Sequence, residues 1–578
     1  MTWRVMPRFD SYEQAREAFS WDLPDEYNPA VDFLRKHDAD REALRYEGPD
    51  GGIESYTFGE LDDRSDRLAA GLADLGVEAG DRVGVVVPQR PENPLAHLAN
   101  WKLGAVSVPL TVLFGRDALA YRLADSGARA VVVDGAVRET VEAVREECPE
   151  LELVVEVNDG AENRGDGAEN RGDGAENRGD GIHAFDTILA EYETGVAIHE
   201  STPETPTAIM YTSGSTGSPK GVLHSHALWL GRAAAAYNYF DQGLDDATLW
   251  TPADWAWGAA LGGTLFAGLH HGCTVVGWPR EGFDPEEVFD LLARHDVTHS
   301  FMPPTALRML MTVDDPVERY DLSIKTLAAV GEPLTPEIVE WVEATFEDVP
   351  INEFYGQTEL NLVVGNSSTW FETRPGSMGK PLPGYEVAVL DPEIGERLPA
   401  GEPGELAVKP NDRRVFFDEY WNRPEATAAK QTTVDGETTV EGGKSNEAGE
   451  KGWFLTDDLV ERDADGYLWF VSRTDDVILT SGYRVGPMEV EETILLHPDV
   501  EQVGVVGVSD ETRGEAIKAF VQPRIDEFDP EELRVEIREL VRGRLAEYEY
   551  PRHVEFVEEL PTTTTGKIRR LELRERDQ

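Results

Sequence analysis

A helix signal followed at once by a strand signal, repeated along the chain, limits the folds open to this sequence more than any other feature. TFGELDDRSDRLAAGLADLG, Thr57 to Gly76, reads as an amphipathic helix. Thr57 caps it, Glu60 completes a capping box, Leu61, Leu68, Leu72 and Leu75 share one face, and Gly76 ends it. DRVGVVVP follows as a buried strand, and ARAVVVDG and CTVVGWP carry the same signature further on. Strands alternating with helices predict an α/β fold with parallel sheets covered by helices. A length of 578 residues predicts several subdomains.

Two segments interrupt the pattern. DGAENRG occurs three times in tandem from Asp159 to Gly179; no position of the repeat is strongly apolar, which excludes a coiled coil and predicts a disordered surface loop. KQTTVDGETTVEGGKSNEAGEK, Lys430 to Lys451, reads as another loop or a β-hairpin. Neither is assigned to chemistry.

Charge excludes several functions. The chain has 111 acidic and 53 basic residues, a formal charge of −58, and only 11 lysines. The acids are dispersed, so the surface repels itself at low salt, whereas in molar salt a Debye length of ~3 Å screens it. This reads as adaptation to the salt-rich cytoplasm of a halophile. The lack of a basic stripe argues against a nucleic-acid partner. No apolar run approaches a membrane span, and MTWRVMPRFDSYEQ lacks a signal-peptide core. Cys148 and Cys273 are the only cysteines, and no Cys/His cluster has zinc spacing. A cytoplasmic location is expected.

YTSGSTGSPKG, Tyr211 to Gly221, is the first candidate site. Its glycines let backbone N–H groups turn toward an anion, Thr212, Ser213, Ser215 and Thr216 add hydroxyl donors, and Lys220 adds a charge. It is not a Walker A loop, because Pro219 precedes Lys220 and Gly221 follows it. TAIMYT before it reads as a strand and VLHSHALWLGRAAAAYNYF after it as a helix, which predicts a strand–loop–helix phosphate site.

Further motifs follow in order: GEP at Gly331 to Pro333, FYGQTE at Phe354 to Glu359, GWFLTDD ending at Asp458, SRTDDVILTSGYRVGPMEVE at Ser472 to Glu491, and PTTTTGKIRR near the end. Together they resemble the adenylate-forming superfamily, which includes acyl-CoA synthetases, nonribosomal-peptide adenylation domains and luciferases. The resemblance implies a large N-terminal domain of helix-covered sheets with a β-barrel-like subdomain, residues 1–472. A hinge at 473–475 and a small mobile α+β domain at 476–578 would follow. It implies that a carboxylic acid attacks the α-phosphate of ATP, giving acyl-AMP and pyrophosphate, and that CoA then takes the acyl group. Gathering so much negative charge requires donors, Mg²⁺ and cations.

Carried over by resemblance, Thr212, Ser213, Gly214, Ser215, Thr216, Gly217 and Lys220 form the phosphate loop. Thr358 meets the α-phosphate and Glu359 the Mg²⁺. Gly331, Glu332, Pro333, Tyr355, Gly356 and Gln357 enclose the adenine side, Asp458 accepts the ribose hydroxyls beside Arg473, and Arg484 also meets phosphate. Lys567 bridges the substrate carboxylate and the α-phosphate in the first step. Rotation at Asp475 then withdraws it and brings in Gly482 and Tyr483 to line the pantetheine channel. His224 and His226 read as structural rather than as bases.

Among the relatives an acyl-CoA synthetase is favoured, since no carrier domain follows the C-terminal motif and the full set Lys220, Glu359, Asp458, Arg473 and Lys567 argues against a pseudoenzyme. Acetate-specific relatives carry Trp where this chain has Gly356, so the resemblance implies a medium-chain or broad-specificity enzyme. Asn361 is expected to narrow the pocket that Gly356 opens. Trp255 and Trp257, in TPADWAWG, border the acyl chain or pack in the core. Short-chain and aromatic acids stay open, as does the oligomeric state.

Overall fold

The computed structural model describes residues 3–157, 181–212, 219–331, 334–434 and 452–576, apart from 281, 393, 475, 481–482, 511–513, 525–527, 546–548 and 563–567. The DGAENRG repeats therefore lie outside the described residues, as does most of the segment after Lys430.

The helix read first in the sequence spans Phe58–Asp74. Both halves of its capping box form: Glu60 N donates to Thr57 Oγ1 at 3.2 Å, and Thr57 N donates to Glu60 Oε2 at 2.8 Å. Leu61, Leu68 and Leu72 are buried on its inner face. Its Asp66 accepts at 2.5 Å from Lys102, whose ammonium is fully buried and also meets Asp62 and Ser65.

The strand Arg82–Val86 pairs in parallel with Val106–Pro109 and Ala128–Asp134, and the parallel order continues through Leu153–Val157 to Ile182–Ala184. On the other side Val106–Pro109 meets Pro206–Thr212, also in parallel. There the sheet changes. Pro206–Thr212 turns back as an antiparallel hairpin with Lys220–Ser225, and Glu419–Tyr420 adds the eighth strand antiparallel to that. The expected helix after the glycine-rich loop is thus corrected: VLHS is a strand, and the helix starts only at Ala227 and runs to Tyr239. Lys220 therefore begins a strand, and no helix starts at the residues directly after the glycine-rich segment.

Among the described residues a second sheet of 14 strands has a parallel centre made of Thr274–Gly277, Thr248–Trp250, His299–Phe301, Thr326–Val330 and Ile351–Gln357. It continues without a break into antiparallel strands, through Asn361–Gly365 and Ser377–Pro381 to Leu468–Arg473, Trp453–Arg462, Gly404–Pro410 and Tyr385–Leu390. The expected barrel-like part is this antiparallel extension of the main sheet. The sheets are mixed rather than purely parallel because hairpins supply the segments that carry the site.

A smaller C-terminal domain follows. Val500–Asp510 and Gly514–Pro523 form its long hairpin, flanked by Ile478–Thr480, Tyr483–Val485 and His553–Phe556. The helices Pro487–Leu495 and Pro530–Arg544 bury Val490, Ile494, Leu533, Ile537 and Val541 against it. Among the described residues no helix is long and apolar enough to cross a membrane.

Candidate active site

The strands Ile351–Gln357, Trp453–Arg462 and Leu468–Arg473 bring four predicted residues together. Asp458 and Arg473 stand opposite each other in register. Arg473 Nη1 donates to Asp458 Oδ1 at 3.2 Å. Tyr355 Oη and Gln357 Nε2 both donate to Asp458 Oδ2, at 2.5 and 2.8 Å, and Gln357 also donates to the Thr456 carbonyl at 2.7 Å. Burial, and then the Asp458 charge, push the Tyr355 phenol far above its usual range, so it stays a neutral donor. The Asp458 side chain is thus aimed by three donors from two strands, a preorganised acceptor for a diol.

The foot of the glycine-rich hairpin is equally fixed. Thr212 pairs with Lys220 across it. Tyr121 Oη donates to the Pro219 carbonyl at 2.7 Å, Tyr211 Oη donates to Asp125 at 2.8 Å, and Trp421 N donates to the Gly221 carbonyl at 2.7 Å. Lys220 Nζ lies 5.2 Å from the centre of the Tyr420 ring, and Tyr420 Oη donates to Glu359 Oε1 at 2.7 Å. Tyr420 therefore joins Lys220 to Glu359. Sequence reasoning missed it; the only signal was the aromatic run FFDEYW next to a Pro-led helix. It also missed Lys430, which pairs with Asp457 beside Asp458 and has no recognisable local motif.

Ser213 to Gly217, Glu332, Pro333, Asp475, Gly482 and Lys567 lie outside the described residues. Of Tyr483 and Arg484 the backbone is described: they belong to the short strand pairing with Ile478–Thr480. On either side of position 475 the chain is tied down. Thr474 N donates to the Asp457 carbonyl at 2.7 Å, and Asp476 binds Arg570 and Arg574 at 3.3 and 3.0 Å.

Two acyl-pocket expectations meet contrary geometry. A Cβ on Gly356 would stand 1.9 Å from the Asn361 carbonyl oxygen and 2.8 Å from Leu362 Cα, so glycine here permits a backbone contact and opens no space. Asn361, at φ +72°, turns its amide away, with Nδ2 donating to the Val415 carbonyl at 2.5 Å. Trp255 is fully buried in the core, one of the two places expected for it. A narrow apolar cleft lies instead among Tyr239, Ala259, Phe301, Ala328, Ala329, Val330, Phe354 and Leu362. It is nowhere wide enough to seat a water molecule. Trp257 borders it, its ring 5.7 Å from that of Phe301. His224, beside the Thr358 backbone, and His226 are buried, and burial lowers both to about 3, so neither is an effective base at neutral pH.

Glu359 is 9% exposed, with Tyr420 on one oxygen, and no group of three or more potential metal-ligating side chains occurs among the described residues. That donor set fits a magnesium ion held by one carboxylate and by substrate phosphates, and does not fit an all-protein metal cage.

Residues 32–421 match the family model "AMP-binding enzyme", and residues 489–567 match "AMP-binding enzyme C-terminal domain". The chain is 33% identical to the mitochondrial acyl-coenzyme A synthetase ACSM3 of Mus musculus, over 98% of this chain and 94% of that protein. It is 34% identical to the acetyl-coenzyme A synthetase of Bacillus subtilis, over 89% and 84%. Among solved structures, an anthranilate CoA ligase in complex with anthranoyl-AMP superposes with a TM-score of 0.80 at 27% identity, covering 96% of this chain and 98% of that one. The Brucella canis acyl-CoA synthetase gives 0.71 at 31% identity, covering 98% and 99%.

Proposed function

The chain belongs to the AMP-binding enzyme family and is an acyl-CoA synthetase, an acid–thiol ligase; from that premise we propose that its substrates are short- to medium-chain carboxylic acids. The reading that ATP is held here rests above all on Asp458, aimed by Tyr355, Gln357 and Arg473. Asp458 accepts the ribose hydroxyls, Lys220 and the loop that begins at Thr212 hold phosphate, and Thr358 meets the α-phosphate. Glu359 is the protein ligand for Mg²⁺, which when bound offsets phosphate charge. Lys567 stabilises the charge that builds as the acid attacks, and Gly482 and Tyr483 serve the CoA step. Asp475 is the pivot between the N-terminal domain and a mobile 476–578 domain. Its two anchored neighbours support this, because rotation concentrates where one residue separates two fixed ones.

The cleft beside Trp257 is the acyl pocket. Its tightness supports a short chain that parts Phe301 and Leu362 on entry. The rings of Tyr239, Phe301 and Phe354 favour a second reading, an aromatic acid. The dispersed acidic surface supports a protein that works in a salt-rich cytoplasm. The test is a panel of acids from C2 to C12 plus benzoate, assayed for AMP and thioester in molar KCl. A maximum between C3 and C8 is expected, and exclusive use of acetate, benzoate or C12 would refute the substrate assignment.

A further inference from the structure

Arg232 is a buried cation to which the roles proposed above assign no part. It sits midway along the helix Ala227–Tyr239, is 3% exposed, and its Nε has no hydrogen-bond partner. No carboxylate among the described residues pairs with it; its titratable neighbours are the phenols of Tyr239 and Tyr385, which burial keeps neutral. Burial lowers the guanidinium to about 10, so it remains charged at neutral pH. Arg413, which also acts on His224, differs in having Asp418 as a counter-charge. An uncompensated charge in an apolar interior is strongly unfavourable, so something must face Arg232.

The surroundings are built to hold it. A Cβ on Gly262 would stand 2.8 Å from Arg232 Cγ, and one on Gly258 would stand 3.8 Å from Nη2 and 3.2 Å from Met210 Sδ. On the other flank Gly231 makes room for Asn361, whose Nδ2 would be 2.2 Å from a Cβ there. The guanidinium thus lies between the end of the hairpin strand, the turn at Gly258 and the Thr358–Asn361 turn. Further buried polar atoms in this region make no close hydrogen bond: Tyr385 Oη and Asn361 Oδ1, whose side chains adjoin each other, and both ring nitrogens of His224, which lies beside the Thr358 backbone. Neutral His224 carries one N–H. The unsatisfied set therefore offers donors from Arg232, Tyr385 and His224 and one clear acceptor, with a net positive charge. Such a set calls for an anion.

We propose that this pocket binds one compact monovalent anion, a halide or a small carboxylate, which accepts from Arg232 and Tyr385 beneath the turn that carries Thr358 and Glu359. Phosphate is disfavoured, because Met210, Gly258 and Gly262 supply no second cation. The anion comes either from the medium, as chloride, or from the acid substrate.

The test uses the full-length, ligand-free protein. Thermal unfolding is followed at fixed pH and ionic strength in potassium chloride, bromide or formate against gluconate, which is too large for the pocket. Matched ionic strength holds the screening of the surface charge constant. The wild type is expected to melt higher in chloride and bromide than in gluconate, with Tm rising with the logarithm of anion concentration. Arg232→Met is expected to lose that dependence without melting lower in gluconate, since an unpaired buried cation has gone. Arg232→Lys is expected to keep it. Stabilisation by formate but not halide assigns the anion to the substrate. Equal melting in all four salts, or an unchanged dependence in Arg232→Met, overturns the proposal. Should neither variant fold, crystals of the wild type soaked in bromide decide: no anomalous peak at the guanidinium, and no formate effect on the wild-type melt, also overturns it.

Discussion

Tyr420→Phe removes one oxygen while leaving the ring that faces Lys220 at 5.2 Å. What is lost is the 2.7 Å hydrogen bond to Glu359 Oε1. A hydrogen bond to a charged acceptor contributes about 1.5–3 kcal/mol. Glu359 is 9% exposed, so water only partly replaces the donor. The Lys220–ring contact, worth about 0.5–1 kcal/mol, survives in Phe and disappears in Tyr420→Ala. If the hydroxyl fixes Glu359 for magnesium, acid-dependent ATP–pyrophosphate exchange at limiting Mg²⁺ falls about 10- to 150-fold. Rising Mg²⁺ restores part of it, because a loosened ligand weakens binding before it weakens chemistry. Thioester formation from supplied acyl-adenylate, and Tm, stay near wild type. Calorimetric titration with Mg·ATP gives the independent readout, a weaker Kd in Phe than in wild type, with no difference for ATP in EDTA. Full exchange activity at every Mg²⁺ level, or a loss that Mg²⁺ does not relieve and that tracks Tm, refutes the reasoning.

Four other outcomes follow from the same geometry. Gly356→Ala forces a Cβ against the Asn361 carbonyl, so Tm drops by an amount equivalent to 1–3 kcal/mol or more, roughly the cost of overpacking; activity on C2 to C8 acids falls together, whereas a selective loss of longer acids would restore the pocket reading. Lys567→Ala lowers acyl-AMP formation by ~10²- to 10³-fold and leaves thioester formation from acyl-AMP intact; equal losses would contradict a domain swap between steps. Burial raises the Glu353 carboxyl from 4.5 to about 8, so the folded state holds a proton that the unfolded chain releases near 4.5, and stability declines as pH rises from about 5 to 8; Glu353→Gln removes that part of the decline in Tm, and an unchanged slope would place the group in water. Dilution to about 50 mM KCl without Mg²⁺ unfolds or inactivates the protein, because the −58 charge is then poorly screened; full stability there would refute the salt reading.

What the sequence disclosed and what it hid divide along physical lines. The Thr57–Glu60 capping box is local, and it formed as read. The hairpin at Lys220–Ser225 was hidden because a short apolar run leading into a helix suits either state, and pairing with Met210 and Tyr211 decides it. Tyr355, Gln357, Asp458 and Arg473 were legible through motifs, and the structure brings them together although Tyr355 and Asp458 are 103 residues apart. Tyr420 was invisible because its partner Glu359 is 61 residues away and a tyrosine carries no charge to attract notice. Gly356 misled because motif position says nothing of the direction in which a Cβ would point.

Lys220 belongs to a strand and not to the loop it follows, and this separates two kinds of evolutionary change. Its backbone is registered against Thr212, and the strand it begins is stitched to Glu419–Tyr420 on its outer edge. Substitutions between these two fixed posts can change the intervening segment without displacing the backbone of Lys220. The segment between Thr212 and Lys220 is therefore an exchangeable cassette, and a stretch transplanted from a relative would inherit a lysine already in place.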